Sequence, residues 1–199
     1  MILTFPVQVP PGFRASQAIT PAGKACVPGE PPWRPRIWDS FLAPRGEYKH
    51  HAIDITAAEG TPVVATASGR VIERWKDLPG AGWSEKGGWY VWFKDDNGYT
   101  HYYSHLQKRP AVSSGQRVSA GQLIGYVGKT GNAKTTCPHL HYAITNPAGH
   151  KENPYPLLKP MYDLGAWISE KPARAAGGAG ALLIVVTAGA GLWYLLRQR

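Results

Sequence analysis

Cys137-Pro138-His139-Leu140-His141-Tyr142 places two histidines one residue apart on a segment that reads as a strand. Strand side chains alternate with period two, so both imidazoles leave the same face, their Cα atoms about 6.6 Å apart. Both rings reach one small volume, one as a metal ligand and the other beside the metal. That is a site if further ligands arrive, and the soluble part of the chain reads as a frame facing it.

Outward from this stretch the sequence is a series of short apolar runs bounded by turn residues, over 61–64, 69–75, 89–93, 99–105, 122–127 and 139–145. Between two of them lies Asp96-Asn97-Gly98, and Asn-Gly between alternating runs predicts a β-hairpin. The expected fold is mainly β with an antiparallel sheet, which suits a chain with 23 glycines, 18 prolines and 11% aromatic residues. Lys76 to Gly88 reads as a long glycine-rich connection of the kind that forms binding lips.

The expected organisation is one domain with appendages. Residues 1–36 carry Pro6, Pro10, Pro11, Pro21, Pro28, Pro31, Pro32 and Pro35 and read as an extended arm. The domain runs over 37–150, and 151–174 is a proline-spaced closing segment or linker. From Ala175 to Leu196 no charged residue occurs; as a helix this run would be about 33 Å long, enough to span a membrane. A basic tail, 197–199, follows. Met1 to Pro6 has no basic n-region, so an N-terminal secretion signal is not expected.

The formal net charge of +9 implies attraction to an anionic polymer: nucleic acid, anionic lipid or cell wall. With no basic run of five and no interleaving of aromatics with lysines, nucleic acid is not the expected partner. Two cysteines, Cys26 and Cys137, cannot build a thiolate zinc cage, so a metal must rest mainly on histidine and carboxylate.

Six of the seven histidines lie between 50 and 141: His50, His51, His101, His105, His139 and His141. On a straight strand His50 and Asp54 would stand about 13 Å apart, too far to share an ion, so the backbone must bend between them. His50, Asp54 and one of His139 or His141 supply three N and O ligands and leave a fourth position for water. That is the composition of a catalytic zinc site.

His50-x-x-x-Asp54, Gly60-Thr61-Pro62-Val63, Ser68-Gly69, Tyr103-Ser104-His105-Leu106, Gly115-Gln116-Arg117-Val118, Gly125-x-Val127-Gly128-x-Thr130-Gly131 and Pro138-His139-Leu140-His141 follow one another in order. In this series the chain resembles the lysostaphin-type (LytM-like) zinc metallopeptidases from about Ile37 to Asn146. The resemblance implies the family's β-sheet groove, of the duplicated-hybrid-motif kind, with one zinc on His50, Asp54 and His141 and catalytic roles for His105 and His139. It implies hydrolysis of peptide bonds in bacterial peptidoglycan, whether cross-links or stem peptides. Two positions depart from the family pattern, Ala52 and Leu42, each where glycine is usual.

Further expectations are attached to this reading. Tyr48 is a candidate donor to the oxyanion and His101 a candidate support for the ligands, while His51 and His150 read as surface residues. A Cys26–Cys137 disulfide would pin the arm beside the groove at an oxidising site of action. The domain would face the wall or periplasm from a membrane anchor, with Arg197 and Arg199 in the cytoplasm. A phage particle, a lysis role or a wall-crossing machine would supply its export. The rival readings are a non-catalytic LytM-like wall-binding or activator module and a structural component of a membrane or virion.

Overall fold

A computed structural model describes residues 4–9, 26, 34–72 and 79–166. In chain order the elements are β1 (Arg36–Ile37), β2 (Pro44–Arg45), β3 (Tyr48–Lys49), β4 (Ile53–Thr56), β5 (Pro62–Val64), β6 (Gly69–Val71) and β7 (Ala81–Ser84). Then come β8 (Gly88–Asp95), β9 (Thr100–Leu106), β10 (Arg117–Val118), β11 (Leu123–Tyr126), β12 (His139–Thr145), β13 (Lys151–Glu152) and α1 (Tyr155–Asp163). The main sheet runs β1-β4-β12-β9-β8-β6-β10 with every pair antiparallel, β13 joining β12 and β7 joining β8. A β5–β11 ribbon and a β2–β3 hairpin stand apart from it.

Period-two alternation sorts the sheet into a core face and a site face. Ile53 and Ile55 of β4, Leu140, Tyr142 and Ile144 of β12, Tyr103 of β9 and Val91 and Phe93 of β8 are buried in one cluster. The β5–β11 ribbon adds Val63 and Ile124 to that cluster. The residues between them in sequence, Asp54, His139 and His141, turn to the other face.

The Asp96-Asn97-Gly98 turn joins β8 to β9: the Asp95 carboxylate accepts from the backbone N–H groups of Asn97 and Tyr99, and Gly98 sits at φ +86°. The connection expected from Lys76 to Gly88 holds a strand, because Ala81–Ser84 pairs with β8 in register. The arm also does more than extend. Phe5 and Val7 are fully buried in the core cluster, and Val7 bridges to Val63. The whole stretch from Phe5 to Val9 is buried, Gln8 included, despite the prolines within and after it.

In the segment after Asn146, β13 is followed by α1, which starts beside Pro154 and buries Leu158. The stretch expected to span a membrane, 175–196, lies outside the described residues. Among the described residues no helix is long and apolar enough to cross a membrane.

His101 belongs to the core face, which corrects its placement beside the ligands. Strand parity puts it with Tyr103, against the Tyr142 hydroxyl (Nδ1 to O 2.8 Å) and the Asp95 carboxylate (Nε2 to Oδ2 3.4 Å). Burial pushes this imidazole down to about 4, against the pull of Asp95.

An unfolded chain protonates the same ring near pH 6.5. Between those values the unfolded state binds more protons, so stability is full above about 6.5 and falls as pH drops towards 4, by about 3 kcal/mol in all. Urea unfolding of chelator-treated protein at pH 7 and pH 4.5 should show this loss, and His101→Gln should show a smaller one.

Candidate metal centre

The pairing of β4 with β12 builds the centre. His141 lies opposite Asp54 and His139 opposite Thr56, so the two sequence blocks meet on the site face. His50 reaches the same point because the chain bends at Ala52, one residue before β4 begins at Ile53. Ala52 makes this bend without a positive φ and is itself buried, so the methyl group is accommodated.

The loop ahead of His50 holds it in place. Leu42 N–H donates to the His50 carbonyl (2.7 Å), His50 N–H donates to the Ala43 carbonyl, and the ring Nδ1–H donates to the Ser40 carbonyl at 3.0 Å. Because a carbonyl only accepts, Nε2 is left with its lone pair free.

That Nε2 lies 3.0 Å from His141 Nδ1 and 3.2 Å from Asp54 Oδ1, and His141 Nδ1 lies 3.1 Å from the same oxygen. A tetrahedral ion with bonds of about 2.0–2.1 Å holds its ligands roughly 3.3–3.4 Å apart. The triangle is within a few tenths of an ångström of that, and its two neutral imidazoles and one carboxylate are the donors that a catalytic zinc takes. The residues present therefore fit the ion.

Electrostatics favour the ligand state of Asp54 and His141. Burial pushes the Asp54 carboxyl up, but its contacts with the His141 and His50 rings and the nearness of His139 outweigh it and hold the group far below the carboxylate range. Burial lowers the His141 imidazole despite Asp54. His105 is pushed down to about 4 by burial, with His139 and His141 adding to the effect.

The remaining imidazoles share one design. His105 Nδ1–H donates to the Thr130 carbonyl (2.9 Å) and His139 Nδ1–H to the Cys137 carbonyl (2.8 Å), which leaves each Nε2 as the acceptor. The two rings lie 4.9 Å apart and line one cleft with the three ligand residues. His105 escapes the parity of β9 through a left-handed backbone, φ +61°. Tyr48 lines the cleft from β3 and is 65% exposed. His51 and His150 are exposed.

Two contributors had no reading in the sequence. Arg45, on the β2–β3 hairpin, contacts the second Asp54 oxygen (Nη2 to Oδ2 2.5 Å). Thr130 holds His105 by its carbonyl while its hydroxyl donates to the Leu106 carbonyl and accepts from Trp89 N–H. Thr130 could have been found within the Gly128-x-Thr130-Gly131 block; nothing in the sequence marks Arg45. Gly88 makes room for this arrangement: at φ +63°, a Cβ there would lie 2.1 Å from the Thr130 hydroxyl. Cys137 is bonded to Cys26, which ties the approach to His139 to a residue 111 positions earlier.

A mainly β domain carrying a His-Asp-His metal centre, with two more imidazoles facing an open cleft, defines a metal-dependent hydrolase. Residues 48–154, more than half of the chain, match Peptidase family M23, and the chain belongs to that family of zinc metallopeptidases. It is 37% identical over 131 residues to the L-Ala–D-Glu endopeptidase of Bacillus subtilis, covering 61% of this chain and 38% of that one. It is 39% identical over 112 residues to the peptidoglycan DD-endopeptidase ShyC of Vibrio cholerae, covering 56% and 23%. The chain thus spans less than half the length of either relative.

Among solved structures, a LytM-type chain from Ruminococcus gnavus, described as a candidate glycyl-glycine endopeptidase, superposes with a TM-score of 0.61 at 27% identity. It covers 84% of this chain and 62% of that one.

Leu42 stands at φ +60°, where a residue with a Cβ is strained by about 1–2 kcal/mol. Its side chain is 45% exposed, so little packing would be lost on removing it. Leu42→Gly should leave the unfolding free energy unchanged or raise it by up to about 1 kcal/mol, measured in urea, where an ordinary loop leucine changed to glycine would lower it.

Proposed function

We propose that this chain is a zinc-dependent endopeptidase acting on the peptide portion of bacterial peptidoglycan. The observation that carries the reading is the closed His50-Asp54-His141 triangle with the Nε2 atoms of His105 and His139 directed at the same cleft. Relatives named for cleaving wall peptides support the substrate class.

His50, Asp54 and His141 would hold the ion. When bound, zinc supplies Lewis acidity, which makes a water nucleophilic near neutral pH and polarises a peptide carbonyl. His105 and His139 each present a lone pair at Nε2, so either can take the proton of the attacking water and return it to the departing amine. The Thr130 and Cys137 carbonyls fix both rings in that tautomer. Arg45 neutralises the outer oxygen of Asp54 and keeps the carboxylate oriented.

The apolar run at 175–196 supports a membrane-anchored domain facing the wall, with a phage particle or an envelope machine as its setting. Protease accessibility in intact spheroplasts tests the orientation, and cleavage only after lysis would overturn it.

Purified peptidoglycan digested with the zinc-loaded chain should release new amino groups, read by mass spectrometry. His105→Ala and His139→Ala should each lower kcat by about 10²–10⁴ while one zinc per chain is retained. His141→Ala should lose the activity and bind zinc far more weakly, with one imidazole fewer on the metal. Zinc-loaded wild type that released no amino groups would overturn the proposal.

A further inference from the structure

Beside the cleft lies a second cavity of about 350 Å³, lined by Arg36, Ile37, Trp38, Thr56 and the Cys26–Cys137 disulfide. The register fixes its position. Arg36 pairs with Thr56, and Thr56 pairs with His139, so the Arg36 backbone stands two strand spacings, about 10 Å, from His139. Asp54, which lines the cleft, and Thr56, which lines the cavity, alternate onto the same face of β4. Thr136 lines the cleft and Cys137 the cavity, so the Thr136–Cys137 peptide is their shared rim.

We propose that this cavity binds a saccharide ring of the glycan strand that carries the peptide being cut. The inference rests on the wall-peptidase reading and adds a glycan subsite to it. A pyranose has two apolar faces and a rim of hydroxyl and amide groups. Trp38, 45% exposed, offers a flat apolar surface with an N–H donor. Arg36 is exposed and supplies a planar fork of donors, and the Thr56 hydroxyl both donates and accepts.

Among the described residues the one charged group lining the cavity is Arg36. The volume falls at the lower end of the range of about 300–1,000 Å³ typical of small-ligand pockets. The disulfide forms one wall and fixes the cavity relative to His139. At about 3.3 Å per extended residue, a ring in the cavity leaves two to three residues to reach the scissile bond.

The full chain is assayed on a disaccharide-linked stem peptide and on the same peptide without sugar. Trp38→Ala should lower the ratio of kcat/KM for the sugar-linked over the bare peptide about tenfold, the scale of one lost aromatic contact, through KM. Trp38→Phe should keep most of the ratio, and Arg36→Ala should lower it. A ratio unchanged in Trp38→Ala and Arg36→Ala, or an equal loss on both substrates, would overturn the subsite.

Calorimetry on the His139→Ala chain gives a reading independent of turnover. The sugar-linked peptide should bind about tenfold more tightly than the bare one, and Trp38→Ala should erase the difference. Equal affinities would sink the subsite, whereas failure of wild type to cut either peptide would sink the peptidase reading alone.

Discussion

The antiparallel register between β4 and β12 is the constraint on which the molecule depends. With Asp54 opposite His141 and Thr56 opposite His139, a carboxylate and two imidazoles separated by more than eighty residues occupy neighbouring positions on one sheet face. A slip of one residue would turn Asp54 into the core and Ile53 or Ile55 out of it. The fully buried Ile53, Ile55, Leu140, Tyr142 and Ile144 make such a slip costly. The hydrophobic pattern that stabilises the fold therefore also aims the ligands, and Arg45 adds only the final orientation of the Asp54 carboxylate.

Around this pair the protein uses backbone carbonyls to set its histidines. Ser40, Thr130 and Cys137 each accept from an Nδ1–H, on His50, His105 and His139. Desolvation keeps His105 and His141 from becoming cationic, and the same desolvation would penalise Asp54 without the imidazoles around it. The site is an interdependent set in which the carboxylate is stabilised by groups whose own neutrality depends on burial. Among the described residues the two non-glycine positions at positive φ, Leu42 and His105, both belong to this region, which places backbone strain where the chain must depart from strand geometry to complete the centre.

Much of this was legible in the sequence because period two is a strict rule. His139 and His141 sharing a face, the bend required between His50 and Asp54, and the Asn97-Gly98 hairpin all follow from strand geometry. The same rule read too far misplaced His101: parity joined it to His105, but His105 leaves its strand in a left-handed conformation and His101 stays on the core face. Phe5 and Val7 were hidden by the prolines around them. Arg45 and the Trp38 cavity arise from hairpin and edge-strand packing, which has no periodic signature.

The central claim is that His50, Asp54 and His141 together hold one zinc. X-ray absorption at the zinc edge of the full chain tests it most directly. The account predicts one zinc per chain in a shell of nitrogen and oxygen at about 2.0–2.2 Å, with imidazole scattering that drops by one ring in His141→Ala. A sulfur shell near 2.3 Å, or a wild-type spectrum unchanged by His141→Ala, would contradict it.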